Sequence, residues 1–429
     1  MRTWAFVLAV TALVVSTGAR AKGEWTRPAS QGSTTSGAAT RESGAGAINA
    51  FRVHVPDDVL SDLKQRLARA RFPDELEDAG WRYGTNETYL KELVTYWRDR
   101  FDWRQQERRL NQFEQFTTNI DGLNIHFIHR RSKERNALPL LITHGWPGSF
   151  VEFAKIIGPL TDPVQYGGRA EDAFDVVVPS VPGYGFSDRP RRSGYNAKAM
   201  AELFVKLMAR LGYTRYGLQG GDIGAGISTE VALLDAPHVA GLHLNLCNAP
   251  PPGGDPNAGL SPEELAKMRE RQEFFSDEER GYSHIQGTKP QTLGYALNDS
   301  PIGLAAWIVE KFRTWCDCGG NVESRFSKDE LLTNITLYWV TQTPTSAARY
   351  YYEGRHAAGP SRANLRIEVP TGCAVFPKEV LYSPRKWLEA RYNLRQFTVM
   401  PQGGHFAALE QPELLVNDVR ALFRDLRAR

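Results

Sequence analysis

The sequence predicts an α/β fold: a doubly wound, mostly parallel sheet with a helical lid inserted late in the chain and an N-terminal extension. Three observations carry this. Short, almost wholly apolar runs at residues 138–143 and 174–178 suit strands buried on both faces. Stretches with apolar residues at helical spacing, 151–160 and 197–211, alternate with them, as the crossovers of a parallel sheet require. A glycine-rich corner, Gln219-Gly220-Gly221-Asp222-Ile223-Gly224-Ala225-Gly226, then joins the β-prone run 216–218 to the helical stretch 227–234.

A turn that sharp needs backbone conformations that residues without a Cβ adopt cheaply. Gly221 and Gly224 bracket Asp222, which gives the nucleophile elbow of α/β-hydrolases with a carboxylate in place of the usual serine. A glycine-rich turn whose aspartate only caps the following helix is the alternative.

Composition sets the frame around this corner. The chain has 429 residues, 41% apolar and 24% charged, which is ordinary for a soluble chain with a sizeable core. A formal net charge of +3 gives no reason to expect a nucleic-acid partner. Arg2 precedes an apolar run from Trp4 to Val15, too short for the ~20 residues of a bilayer span, and Ala19-Arg20-Ala21 offers a cleavage site. Residues 1–21 therefore read as a signal peptide for export, secreted or periplasmic, with no stable membrane span after cleavage; an uncleaved anchor is the alternative. Residues 22–48 are rich in Gly, Ser, Thr and Ala and read as a disordered linker.

The elements follow in order. In the extension, 49–115, an extended segment at 51–55 ends at Pro56, and Asp57-Asp58 opens a helix with Leu60, Leu63 and Leu67 on one face. Tyr89, Leu90, Leu93, Val94 and Trp97 mark a second helix. The first part of the core, 116–252, starts with a hairpin, 116–120 and 123–129, turned at Asp121-Gly122. Its His126 and His129 read as strand residues rather than ligands. A further strand follows the elbow at 239–246. After Asn248-Ala249-Pro250-Pro251-Pro252 the pattern becomes helical, so 253–362 reads as the lid, opened by the capping box Ser261-Pro262-Glu263-Glu264 and continued by 304–312 and 329–339. The second part of the core, 363–429, returns strands at 366–369 and 396–400 and closes with a helix at 414–426.

Four cysteines, Cys247, Cys316, Cys318 and Cys373, are too few for a disulfide framework, and a ring closed by Cys316 and Cys318 would be strained. No zinc site is expected around them. Asn86-Glu87-Thr88 and Asn334-Ile335-Thr336 match the glycosylation pattern.

Three motifs turn the elbow into a site. His144-Gly145-Trp146-Pro147-Gly148-Ser149 follows a buried strand and can aim the main-chain N–H of Trp146 at the elbow, beside that of Ile223, as an oxyanion hole. Gln402-Gly403-Gly404-His405-Phe406 places a histidine late in the chain. Phe376-Pro377-Lys378-Glu379 offers, between them, an acid to orient it. Asp222, Glu379 and His405 thus stand in the nucleophile, acid, histidine order.

This ordered set resembles the microsomal-type epoxide hydrolase family, which includes the juvenile hormone epoxide hydrolases. The likeness runs from about Phe51, through Val53-His54-Val55-Pro56-Asp57, to the C-terminus. It implies that a small lipophilic epoxide and water become a vicinal diol through an alkyl ester on Asp222, which water activated by His405 and Glu379 then cleaves. No metal or organic cofactor is needed. The resemblance also assigns two lid tyrosines as donors to the epoxide oxygen: Tyr282, in Gly281-Tyr282-Ser283-His284, and Tyr351, within Arg349-Tyr350-Tyr351-Tyr352-Glu353, with Trp146 beside them as substrate contacts. From composition alone these are packing aromatics. Ile223 stands where many relatives carry tryptophan, which makes that wall aliphatic. A haloalkane dehalogenase shares the Asp and His logic, but its halide needs side-chain N–H donors and Ile223 supplies none. A catalytically silent binding protein on the same fold is the third reading, while a serine esterase lacks its Gly-x-Ser-x-Gly.

Overall fold

The apolar runs become the centre of a sheet. The computed structural model describes residues 46–427; the signal-peptide reading of 1–21 and most of the linker reading of 22–48 fall outside the described residues. In chain order, β1 (Ile48–Phe51) is followed by α1 (Asp57–Ala68), α2 (Glu87–Asp99) and α3 (Trp103–Leu110). The hairpin β2 (Gln115–Ile120) and β3 (Leu123–Arg130) leads to β4 (Leu138–Thr143), α4 (Ala154–Thr161), β5 (Phe174–Pro179), α5 (Ala197–Arg210), β6 (Tyr216–Gly220), α6 (Asp222–Leu234) and β7 (Val239–Leu244). An insertion of helices follows: α7 (Pro262–Glu273), α8 (Gly281–Gln286), α9 (Pro290–Asp299), α10 (Pro301–Trp315), α11 (Lys328–Thr341) and α12 (Pro344–Arg355). The chain closes with β8 (Ile367–Val375), α13 (Arg385–Arg391), β9 (Tyr392–Val399), α14 (Ala407–Glu410) and α15 (Pro412–Arg427).

Among the described residues the strands form one nine-stranded sheet in the order β1-β2-β3-β5-β4-β6-β7-β8-β9. From β5 to β9 every pairing is parallel, and β1, β2 and β3 add an antiparallel edge. β4, β6 and β7 are buried along almost their whole length because crossover helices cover both faces. The order jumps from β5 to β4 to β6, so the carboxyl ends of β4 and β6 lie side by side at the switch point, where such sheets bind ligands.

Two sequence expectations need correction. The first strand is Ile48–Phe51, earlier than the extended segment read at 51–55. The backbone of Val53 and Val55 bonds to side chains instead of a neighbouring strand: Asn111 exchanges two hydrogen bonds with Val53, and the Val55 N–H donates to Glu107 at 2.6 Å. The cysteines, read as too few for a disulfide framework, are all paired. Cys316 pairs with Cys318, and Cys247 pairs with Cys373 across 126 residues of sequence, joining the ends of the neighbouring strands β7 and β8.

The insertion is stapled to the core by polar contacts as well as apolar packing. Capping boxes at Ser261 and Ser327 start α7 and α11. Asn334 on α11, 2% exposed, donates from Nδ2 to the Pro147 carbonyl at 2.7 Å and accepts from Ser149 Oγ at 2.7 Å. One turn on, the Tyr338 hydroxyl donates to the Gly148 carbonyl at 2.7 Å. His126, at the edge of the core, bonds to Ser180 and Gln115 at 2.9 Å each and is a structural histidine.

Candidate active site

Strand β6 runs into helix α6 at Asp222, whose φ of 49° is left-handed backbone that a non-glycine residue adopts only under constraint. The tightness of the corner explains its glycines. A Cβ on Gly224 would stand 1.9 Å from the Thr143 carbonyl oxygen, and one on Gly145 would stand 2.1 Å from Asp222 Oδ1. Both residues must be bare for β4, the turn after it and the elbow to meet.

That turn delivers the Trp146 N–H to Asp222 Oδ1 at 2.8 Å. His144 supports the turn from behind, accepting from the Val181 N–H at 3.1 Å, and burial pulls its imidazole down to about 4. Ile223 occupies the second position of α6, where a main-chain N–H has no intrahelical acceptor. Trp146 and Ile223 therefore both bring main-chain donors to the elbow.

From the other side comes His405, 6% exposed, in the loop between β9 and α14. Its Nδ1 lies 2.6 Å from Glu379 Oε1, and its Nε2 lies 3.4 Å from Asp222 Oδ2. Glu379 is itself 5% exposed and accepts from the Val380 N–H at 2.6 Å. Burial alone would lower the His405 pKa; the Glu379 and Asp222 carboxylates overcome it and hold the imidazole well above its ordinary value. Trp315 fixes the ring, with centroids 5.0 Å apart, and its carbonyl accepts the His405 N–H at 3.0 Å.

The insertion supplies an aromatic roof. Tyr282 on α8 stacks on the Trp146 indole at 4.7 Å and 8°. Tyr351 on α12 meets Tyr282 edge to face at 5.7 Å and lies 6.0 Å from Trp146. Burial, reinforced by the Asp222 charge, keeps the Tyr282 phenol protonated. Tyr351 is held above its ordinary value by burial in the same way, with Tyr282 and Asp222 adding to it. Tyr350, the neighbour of Tyr351, reaches Asp222 from another side: with Ala225, Gly226, Leu246 and Asp222 it lines a cleft of about 590 Å³ that opens beside α6. Trp146 and His405 thus meet Asp222, Glu379 stands behind His405, and Tyr282 and Tyr351 pack over Trp146.

Glu152 joins them unforeseen. It lies one turn past the glycine-rich motif and lines the space shared by Trp146, Asp222 and His405. Burial pushes its carboxyl up to about 8, with the His405 charge opposing and the Asp222 charge adding. In the sequence it is one glutamate in a helical stretch, and only its spacing from Ser149 could have drawn attention to it.

A parallel sheet carrying an aspartate at its strand-to-helix elbow, with a histidine and a glutamate from later loops, defines an α/β-hydrolase. Residues 139–274 match the family model for the alpha/beta hydrolase fold, and residues 48–153 match that for the epoxide hydrolase N terminus. The chain belongs to the epoxide hydrolase family. A protein of Stigmatella aurantiaca (strain DW4/3-1) is 48% identical over 383 residues, covering 89% of this chain and 86% of the relative. Epoxide hydrolase 1 of Sus scrofa is 44% identical, covering 87% of this chain and 88% of its own. Among solved structures, the juvenile hormone epoxide hydrolase of the silkworm Bombyx mori superposes with a TM-score of 0.82 at 35% identity, covering 89% of this chain and 95% of that one.

Proposed function

We propose that this protein hydrolyses a lipophilic epoxide to a vicinal diol in two steps, with Asp222 as nucleophile. The convergence on Asp222 carries this reading: one carboxylate oxygen is held by the Trp146 N–H, the other faces His405, and two protonated phenols roof the site. A carboxylate oxygen attacks a ring carbon, the ring C–O bond breaks, and the freed oxygen takes a proton from the Tyr282 and Tyr351 pair, leaving an alkyl ester on Asp222. His405 returns its proton to the tyrosine pair, and the neutral imidazole, oriented by Glu379, then takes a proton from water as that water attacks the ester carbonyl. The charge that develops there falls to the N–H groups of Trp146 and Ile223. The ester C–O bond breaks, the departing oxygen takes the proton that stayed on the water oxygen, the diol leaves, and the water oxygen remains in the Asp222 carboxylate.

Paired phenols suit an alkoxide leaving group better than a halide, which sets this reading ahead of a dehalogenase. The helical insertion, read as a lid over residues 253–362, brings both phenols and so shapes the substrate pocket. A single turnover with excess protein, a panel of lipophilic epoxides and 18O water tests the mechanism. Label in the peptide bearing Asp222, with diol formed, is expected. Diol carrying the label itself would mean direct attack by water, and no diol from any epoxide would return the protein to the silent-binder reading.

The N-terminal pattern supports export. Among the described residues no helix is long and apolar enough to cross a membrane. Protein recovered from an exporting host is expected to begin at Lys22; an intact N-terminus in the membrane fraction would favour the anchor.

A further inference from the structure

Between α7 and α8 the chain winds as a π-helix, Phe274–Glu279. Such segments insert an extra residue per turn and concentrate at functional sites. Here the last residue, Glu279, is 5% exposed and carries its carboxylate into the insertion. Its Oε2 accepts from Lys311 Nζ at 2.7 Å and from Trp315 Nε1 at 2.8 Å. Lys311, on α10, is 7% exposed, and its ammonium stands over two rings, 5.3 Å from the centroid of Tyr282 and 5.7 Å from that of Trp315. Glu310 gives the same ammonium a second, less buried partner at 2.6 Å.

A buried ion pair is a poor way to stabilise a helical insertion, since apolar residues of similar volume usually do as well. Its placement suggests another use. Tyr282 is stacked on Trp146, Trp315 is packed on His405, and the ammonium lies over Tyr282 and Trp315. A cation over a phenol ring draws electron density from it and strengthens its O–H as a donor. We propose that Lys311, held in place by Glu279, is a positioning residue for Tyr282: it fixes the ring and sharpens its hydroxyl as donor to the oxygen freed when the epoxide opens. Neither Lys311 nor Glu279 touches the substrate. The inference rests on the reading of Tyr282 as that donor.

The two-step reaction separates this role from simple packing, because Tyr282 acts only in the first step. With excess protein and styrene oxide as probe, rapid quenching and intact-protein mass follow the ester on Asp222 as it forms and decays. Removing the pair as Lys311→Met with Glu279→Gln leaves only the partly exposed Glu310 carboxylate without its cation, and Glu310 keeps the Thr314 hydroxyl as a partner. It is expected to slow ester formation about tenfold and to leave ester hydrolysis within about twofold. In a Tyr282→Phe background the same pair of changes should have no further effect. Glu279→Gln alone, the milder change, keeps the ammonium and should slow ester formation less than the double variant does. Equal slowing of both steps, a tenfold loss that persists without the Tyr282 hydroxyl, or a larger loss from Glu279→Gln alone overturns the proposal. Wild-type protein that forms no ester overturns the functional reading and this inference with it. Wild-type ester formation matched by the double variant overturns this inference alone.

Discussion

The Asp222 carboxylate has two relations to His405, and they change during the reaction. At rest it lies 3.4 Å from Nε2 and, with Glu379, holds the imidazole pKa high, so His405 carries a proton before substrate arrives. In the proposed mechanism, ester formation removes the Asp222 charge and with it part of that support, so His405 can pass its proton to the tyrosine pair and then act as a base. Asp222→Asn is therefore expected to lower the His405 pKa, read by NMR titration of the ring; an unchanged value would mean that Glu379 alone sets it. The same variant should abolish turnover, by at least about a thousandfold. Tyr282→Phe and Tyr351→Phe should each slow ester formation about 10² to 10³-fold, with hydrolysis of the ester spared. Tyr350→Phe serves as the comparison, and an equal loss there would move the donor role to the residue that faces the cleft beside α6. Glu152 adds a pH dependence of its own. The unfolded chain loses that proton above about 4.5, whereas the fold keeps it until about 8, so stability falls as pH rises between the two. Glu152→Gln should flatten this slope in urea unfolding measured at pH 5 and at pH 8.

Helix α11 is the element on which the site's precision depends, because its Asn334 and Tyr338 hold the turn that presents Trp146. Asn334→Leu leaves the Pro147 carbonyl and the Ser149 hydroxyl unpaired, and should cost about 3 kcal/mol of stability in chemical denaturation. This is also the asparagine of a glycosylation pattern; the folded protein uses its side chain inside. Elements differ in how plainly the sequence announces them. β4 was readable residue for residue, Leu138–Thr143, because a strand covered on both faces leaves an unbroken apolar run. Asp222, His405 and Trp146 were readable because close backbone approach forces glycine around them. α3 was not: Trp-Arg-Gln-Gln-Glu-Arg-Arg-Leu shows an apolar residue only at each end, and the fold buries Glu107 by hydrogen bonding it to the Val55 N–H and the Trp103 indole instead. β1 was misplaced because an edge strand with exposed residues has no alternation to read. Glu379 was readable only from its place between nucleophile and histidine in the chain, since nothing local separates it from a surface glutamate.

At the scale of the whole molecule, the pairing of Cys247 with Cys373 is what no local pattern could reveal, because it depends on β7 and β8 lying side by side. A loop of 126 residues is closed by it, so reducing it should lower stability by about 2–5 kcal/mol, measured by denaturation with and without reductant. A change within error would place the restraint on the unfolded chain elsewhere. The same geometry bears on how this protein can vary. The helical insertion leaves the sheet after Leu244, the end of β7, and the chain re-enters it at Ile367, the start of β8, so the insertion belongs to a single connection between two neighbouring strands. A cassette carried by one connection can be exchanged for another of different length or lining without re-registering any strand. The nucleophile and its base stay with the chassis, while the phenols and the walls that choose the substrate travel with the cassette.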